Sequence, residues 1–80
     1  MANSILRLPA VKTQTGLSRS TIYLRIAAGV FTKPVNLGGR AVGWPADEVV
    51  ALVAARIAGR SDHEIRELVE QLEAARKNRS

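Results

Sequence analysis

Hydrophobic and polar positions alternate along this chain in short amphipathic segments punctuated by glycine and proline. Leu8, Pro9, Ala10 and Val11 open a segment that stops at Gly16. Proline in the first turn and glycine just past the end predict a helix over residues 8–15, about two turns long. Leu17 leads into Ser18, a good N-cap, and residues 19–28 predict a second helix closed by Gly29. At ~100° per residue, Ile22 and Ile26 fall on one side of it with Arg19 and Tyr23 near the edge, and Ser20, Thr21 and Leu24 lie opposite. Helices this short joined by so tight a turn must cross steeply, which is helix-turn-helix geometry.

A β pattern follows. Pro34, Val35, Asn36 and Leu37 on one side and Ala41, Val42, Gly43 and Trp44 on the other flank Gly38, Gly39 and Arg40. Two glycines accept the positive φ of a tight hairpin turn. With Gly38 and Gly39 as the loop, Val35 faces Val42, and Val35, Leu37, Val42 and Trp44 share the face that packs on the helices. So small a hairpin needs the helices for support, and it reads as a wing with Arg40 at its tip. Trp44 and Phe31 are read as anchors that fix the wing to the core.

Pro45, Ala46, Asp47 and Glu48 then start a third helix, with acids in the first turn where the dipole favours them. Val49, Val50, Leu52, Val53 and Ile57 make it the most apolar element, and Gly59 stops it. Ser61 and Glu64 fit a capping box for a last helix whose Ile65, Leu68, Val69, Leu72 and Ala75 recur along one stripe. The expected fold class is mainly α with a small β-hairpin. Residues 1–59 form a winged helix-turn-helix, and residues 60–80 an amphipathic helix that either supports the core or pairs with a second copy through Ile65, Leu68, Leu72 and Ala75.

Composition sharpens this picture in one respect. The 80 residues carry a formal charge of +5, but unevenly. Up to Pro45 the cations are Arg7, Lys12, Arg19, Arg25, Lys33 and Arg40, with no acid; beyond it, seven acids meet six bases. A stretch with no carboxylate to repel a polyanion is the footprint of a nucleic-acid face. The length allows one small domain. With no cysteine there is no disulfide framework and no thiolate metal site. The longest apolar run, residues 49–55, is too short to span a membrane, and Asn3 and Ser4 ahead of a single Arg7 do not resemble a signal peptide. A cytoplasmic location follows as the expectation.

The N-terminal turn of the second helix, Ser18, Arg19, Ser20 and Thr21, is the part of a helix-turn-helix that reaches base edges. Arg19 suits guanine or phosphate, the hydroxyls of Ser20 and Thr21 suit phosphates or bases, and Ser18 is foremost a cap. Tyr23 is either a phosphate contact or a half-buried edge of the core. Arg25, Lys33 and Arg40 complete the candidate contacts to double-stranded DNA. His63 lies beside Asp62 and Glu64, but neighbours on a helix do not converge on one ion, so no metal is expected. No nucleophile and base are paired, no phosphate-cradling loop is present, and no cofactor or small-molecule ligand is evident. A binding protein is expected rather than an enzyme.

The strings Leu6-Arg7-Leu8-Pro9-Ala10-Val11, Gly16-Leu17-Ser18-Arg19-Ser20-Thr21-Ile22-Tyr23, Phe31-Thr32-Lys33-Pro34-Val35 and Leu37-Gly38-Gly39-Arg40-Ala41-Val42-Gly43-Trp44 together resemble the AlpA family of prophage regulatory proteins. The resemblance covers residues 5–59. It implies a winged helix-turn-helix similar to MerR-like and excisionase domains, and transcriptional regulation of phage or integrative-element genes. It matches the recognition element to Ser18 through Tyr23, and the wing to Gly39 and Arg40. One departure is that Leu24 precedes Arg25, where the family carries its cation directly after the tyrosine; the charge is turned by ~100°. Beside the sequence-specific regulator stand an excisionase-like architectural factor that bends DNA and a protein-interaction module using the basic face and the last helix.

Overall fold

The computed structural model describes residues 4–78. Asn3, which bears on the signal-peptide expectation, and Arg79 lie outside them. A two-residue strand, β1 (Ile5–Leu6), leads into α1 (Leu8–Thr15) and α2 (Arg19–Ala27). The strands β2 (Val35–Gly38) and β3 (Ala41–Pro45) follow, then α3 (Ala46–Ile57), α4 (Asp62–Ala75) and a closing 3-10 turn, Arg76–Asn78.

The helix ends sit where local chemistry puts them. Pro9 occupies the first turn of α1, and Gly16 ends the helix at φ 72°, its N–H donating to the Lys12 carbonyl at 2.8 Å. The Thr15 hydroxyl donates back to the Val11 carbonyl at 2.7 Å and accepts the Leu17 N–H at 3.2 Å, which ties the connecting turn. Ser18 then caps α2 by accepting the Thr21 N–H. Ser61 and Glu64 make both halves of the capping box on α4. These caps satisfy backbone groups that the helices leave open.

The sheet differs from expectation in two ways. β1 was not anticipated; it pairs antiparallel with β3 through Ile5 with Pro45 and Leu6 with Trp44, giving the order β1-β3-β2. The hairpin register is also shifted by one residue. Val35 faces Gly43 and Asn36 faces Val42, Leu37 is bulged out, and the turn falls on Gly39 and Arg40. The Asn36 side chain causes the bulge locally, accepting the Gly38 N–H at 2.7 Å. Because side chains alternate along a strand, the shift puts Val35 and Leu37 on the side of Gly43, opposite Val42 and Trp44. That outer side is tight: a Cβ at Gly43 would meet Ile5, with the Leu6 carbonyl at 3.1 Å and a Leu37 methyl at 3.2 Å. Only glycine lets β1 lie there.

Val11, Ile22, Val30, Phe31, Trp44, Val49, Leu52, Ile65 and Val69 form the core. Trp44 is fully buried, and its indole N–H donates to the Thr32 carbonyl at 3.0 Å, so the wing strand is pinned to the segment after α2 as expected. The stripe on α4 packs on the chain's own core, with Ile65 and Val69 buried and Leu68 and Leu72 against them. α4 also reaches α2, where Arg66 Nε donates to the Ala28 carbonyl at 3.1 Å. The result is a winged helix-turn-helix backed by an amphipathic C-terminal helix.

Glu48 has a role beyond its place in the helix's first turn. It is fully buried, and Arg76 grips both its oxygens, at 2.6 and 2.8 Å. Arg76 Nη2 also donates to the Lys33 carbonyl at 2.7 Å, while Glu73 accepts the Lys33 N–H at 2.9 Å. The end of α4 thereby holds the segment leading into the wing and the start of α3 together. A buried carboxylate requires such pairing.

Candidate nucleic-acid interface

The turn of residues 16–18 delivers the chain into α2 with its first helical turn facing outward. Arg19 and Ser20 are exposed, and Thr21 is half-buried with its hydroxyl bonded to that of Ser18 at 3.0 Å. Ser18 is thus engaged in capping, which leaves Arg19 and Ser20 as the open groups of the turn. Leu24, one turn beyond Ser20, is 69% exposed. An apolar side chain so placed suits the methyl group of thymine, and neither charge nor polarity marks it in the sequence.

Tyr23 joins the open face to the core. It is 37% exposed, and its ring meets Trp44 edge-on with centroids 6.3 Å apart. Trp44 in turn meets Phe31 edge-on at 6.5 Å. The Arg19 guanidinium lies over the other end of this stack, 5.4 Å from the Tyr23 centroid. A cation over a ring face is attracted by its quadrupole and loses conformational freedom. Tyr23 therefore edges the core, as the second of its two readings has it, and its exposed ring also carries Arg19.

The remaining candidates do not all converge there. Arg40 is exposed in the hairpin turn. Lys33 is exposed, with its backbone held by Glu73 and Arg76 at the end of α4. Arg25 is half-buried and lines a groove with Val30, Phe31, Leu52 and Arg56. Around the helix it is turned ~200° from Tyr23, apart from the Arg19 face.

The electrostatic division seen in the sequence takes structural form in the ion pairs. Among the described residues, Arg56 pairs with Asp62 at 3.0 Å, Arg60 with Glu64 at 3.6 Å and Arg76 with Glu48. Arg7, Lys12, Arg19, Arg25, Lys33 and Arg40 form no ion pair with a described carboxylate. Ion pairing among the described residues is thus confined to the second half, and the cations of the first half remain available for an external anion. Among the described residues no group of His, Asp and Glu side chains is placed to hold a metal ion, and no helix is long and apolar enough to cross a membrane.

These features define a small winged helix-turn-helix protein whose wing and turn carry cations, Arg40 and Arg19, that have no carboxylate partner among the described residues. The sequence profile of the family described as Prophage CP4-57 regulatory protein (AlpA) matches residues 4–57, and the chain belongs to that family. It is also similar to a protein of Enterobacteria phage P4 described as Uncharacterized protein ORF88, with 54% identity over 55 residues. That match takes in 69% of this chain and 62% of the phage protein's length. No solved structure matches the chain.

Proposed function

We propose that the chain is a sequence-specific double-stranded DNA-binding regulator of prophage or integrative-element genes, acting by binding without catalysis in the cytoplasm. α2 enters the major groove. Arg19 addresses guanine or phosphate, Ser20 and Thr21 address bases or phosphates, and Leu24 addresses a thymine methyl. Arg40 on the wing lies on the backbone or in the minor groove, and Lys33 adds a phosphate contact. The observation that carries this reading is that, among the described residues, the cations of the helix-turn-helix and wing have no carboxylate partner, whereas Arg56, Arg60 and Arg76 of the second half each have one. Membership of a prophage regulatory family supports the regulatory part.

The test is selection of preferred duplexes from a random-sequence pool, followed by gel-shift titration of the winning duplex. Arg19→Ala and Tyr23→Ala are expected to weaken binding while circular dichroism stays native. Failure to enrich any sequence would remove the sequence-specific part of the proposal.

A further inference from the structure

α3 leaves an apolar track uncovered. Ile57 is 83% and Val50 59% exposed, and Ala54 lies exposed between them. Two turns of helix, ~10 Å, separate the ends. Beside Ile57 the surface opens into a groove of about 320 Å³ floored by Val30, Phe31 and Leu52. Isolated exposed apolar residues are ordinary, but a track continuous with a groove is a surface that proteins use for contact.

The charges around the groove say what it accepts. Arg25 and Arg56 both line it, and no acidic side chain does. Arg56 is already bonded to Asp62, whereas Arg25 has no carboxylate partner among the described residues although it is half-buried. A guanidinium held in an apolar wall without an anion is an incomplete pair. A second copy of this chain fits poorly, since a two-fold contact would set the same positive groove against itself. DNA fits poorly too, because the track and the groove floor are apolar and Arg25 is half-buried and turned ~120° from Arg19. An amphipathic helix fits both features: its apolar face, with anchors one and two turns apart, covers Val50 and Ile57, and a flanking carboxylate reaches Arg25.

We infer that the groove between α2 and α3, with the outer face of α3, docks an amphipathic helix of a partner protein that bears a carboxylate for Arg25. This surface adjoins the proposed DNA face where Thr21 lies one turn before Arg25, but the two share no residue, so either assignment can fail without the other.

The experiment titrates the isotope-labelled full chain with a synthetic helical peptide of roughly 18 residues, long enough to hold a helix. Leucines line one face and a single glutamate flanks them, and a twin carries glutamine in its place. The glutamate peptide is expected to bind about tenfold tighter, with NMR shifts centred on Val30, Phe31 and Ile57. Arg25→Gln should level the two peptides, and Ile57→Ser, at an exposed position, should weaken both. Equal affinity of the twins for the native chain, shifts confined to the Arg19 face, or no shifts at millimolar peptide would overturn the inference. So would light scattering that shows the face buried in a dimer of the chain, dissociated by Ile57→Ser.

Discussion

Arg76 and Arg19 carry the same side chain in opposite settings. Arg76 closes on the buried Glu48 through two hydrogen bonds. Arg19 rests on the face of Tyr23 and is exposed. Replacing Arg76 by alanine leaves a buried carboxylate without its cation. We expect a loss of about 3 kcal/mol, read from the urea midpoint, with partial recovery when Glu48→Gln is added; a change below ~1 kcal/mol would mean that solvent already screens the pair. Arg19→Ala should leave the urea midpoint in place and cost about 1–3 kcal/mol in binding to the selected duplex. Tyr23→Phe keeps the ring under Arg19 and tests the hydroxyl alone, so it should bind more tightly than Tyr23→Ala. The helical spacing already sets Arg19 beside Tyr23, but the Arg76 setting was not legible in the sequence. Glu48 and Arg76 lie 28 residues apart, and no local pattern announces such a pair.

The elements were legible in proportion to how local their causes are. α1, α2 and α4 begin and end at Pro9, Gly16, Ser18, Ser61 and Glu64, whose effects act within one turn. β1 has no such marker. Ile5 and Leu6 are a strand only because β3 lies beside them and Gly43 leaves room. In the hairpin both Gly38 and Gly39 take positive φ, 113° and 56°, as a glycine turn leads one to expect. The choice between registers was made by Asn36 holding the Gly38 N–H, and that choice moved Val35 and Leu37 to the outer face. The capping box yields a prediction at this scale. Glu64 accepts the Ser61 N–H, which holds its carboxyl below the ordinary value, with Arg60 adding to the effect. A lowered pKa in the folded state contributes stability that is complete above the ordinary carboxylate value and is lost as pH falls through the folded value. Thermal melts should therefore show a decline on the acid side that is smaller in Glu64→Gln, and Ser61→Ala should cost about 1 kcal/mol near neutral pH.

For the whole molecule, the family match ends at residue 57, yet the core does not. Ile65 and Val69 are buried with Trp44, and Arg76 and Glu73 hold the segment before the wing. A chain ending at Gly59 should consequently lose cooperative unfolding, as followed by circular dichroism; a truncated chain that still melts cooperatively would show that the first half carries its own core. The helical spacing of α2 placed Arg19 and Tyr23 at the edge of its apolar side and Ser20 opposite, and all three are exposed in the fold. That Arg25 is half-buried was not legible in the same way, because which side of α2 is covered depends on α3 and on Val30 and Phe31. The net charge of +5 was already informative once divided at Pro45, and the ion pairs of Arg56, Arg60 and Arg76 sharpen that division.

The central claim is that these unpaired cations serve a specific DNA sequence. It is tested most directly by fluorescence anisotropy of the full chain on the selected duplex and on a scrambled one across a salt series. The account predicts that log affinity falls linearly with log salt for both, with a slope of about −0.9 for each phosphate contacted. At physiological salt the selected duplex should bind at least about a thousandfold more tightly. Equal affinity for the two duplexes at that salt, or binding that does not respond to salt, would contradict it.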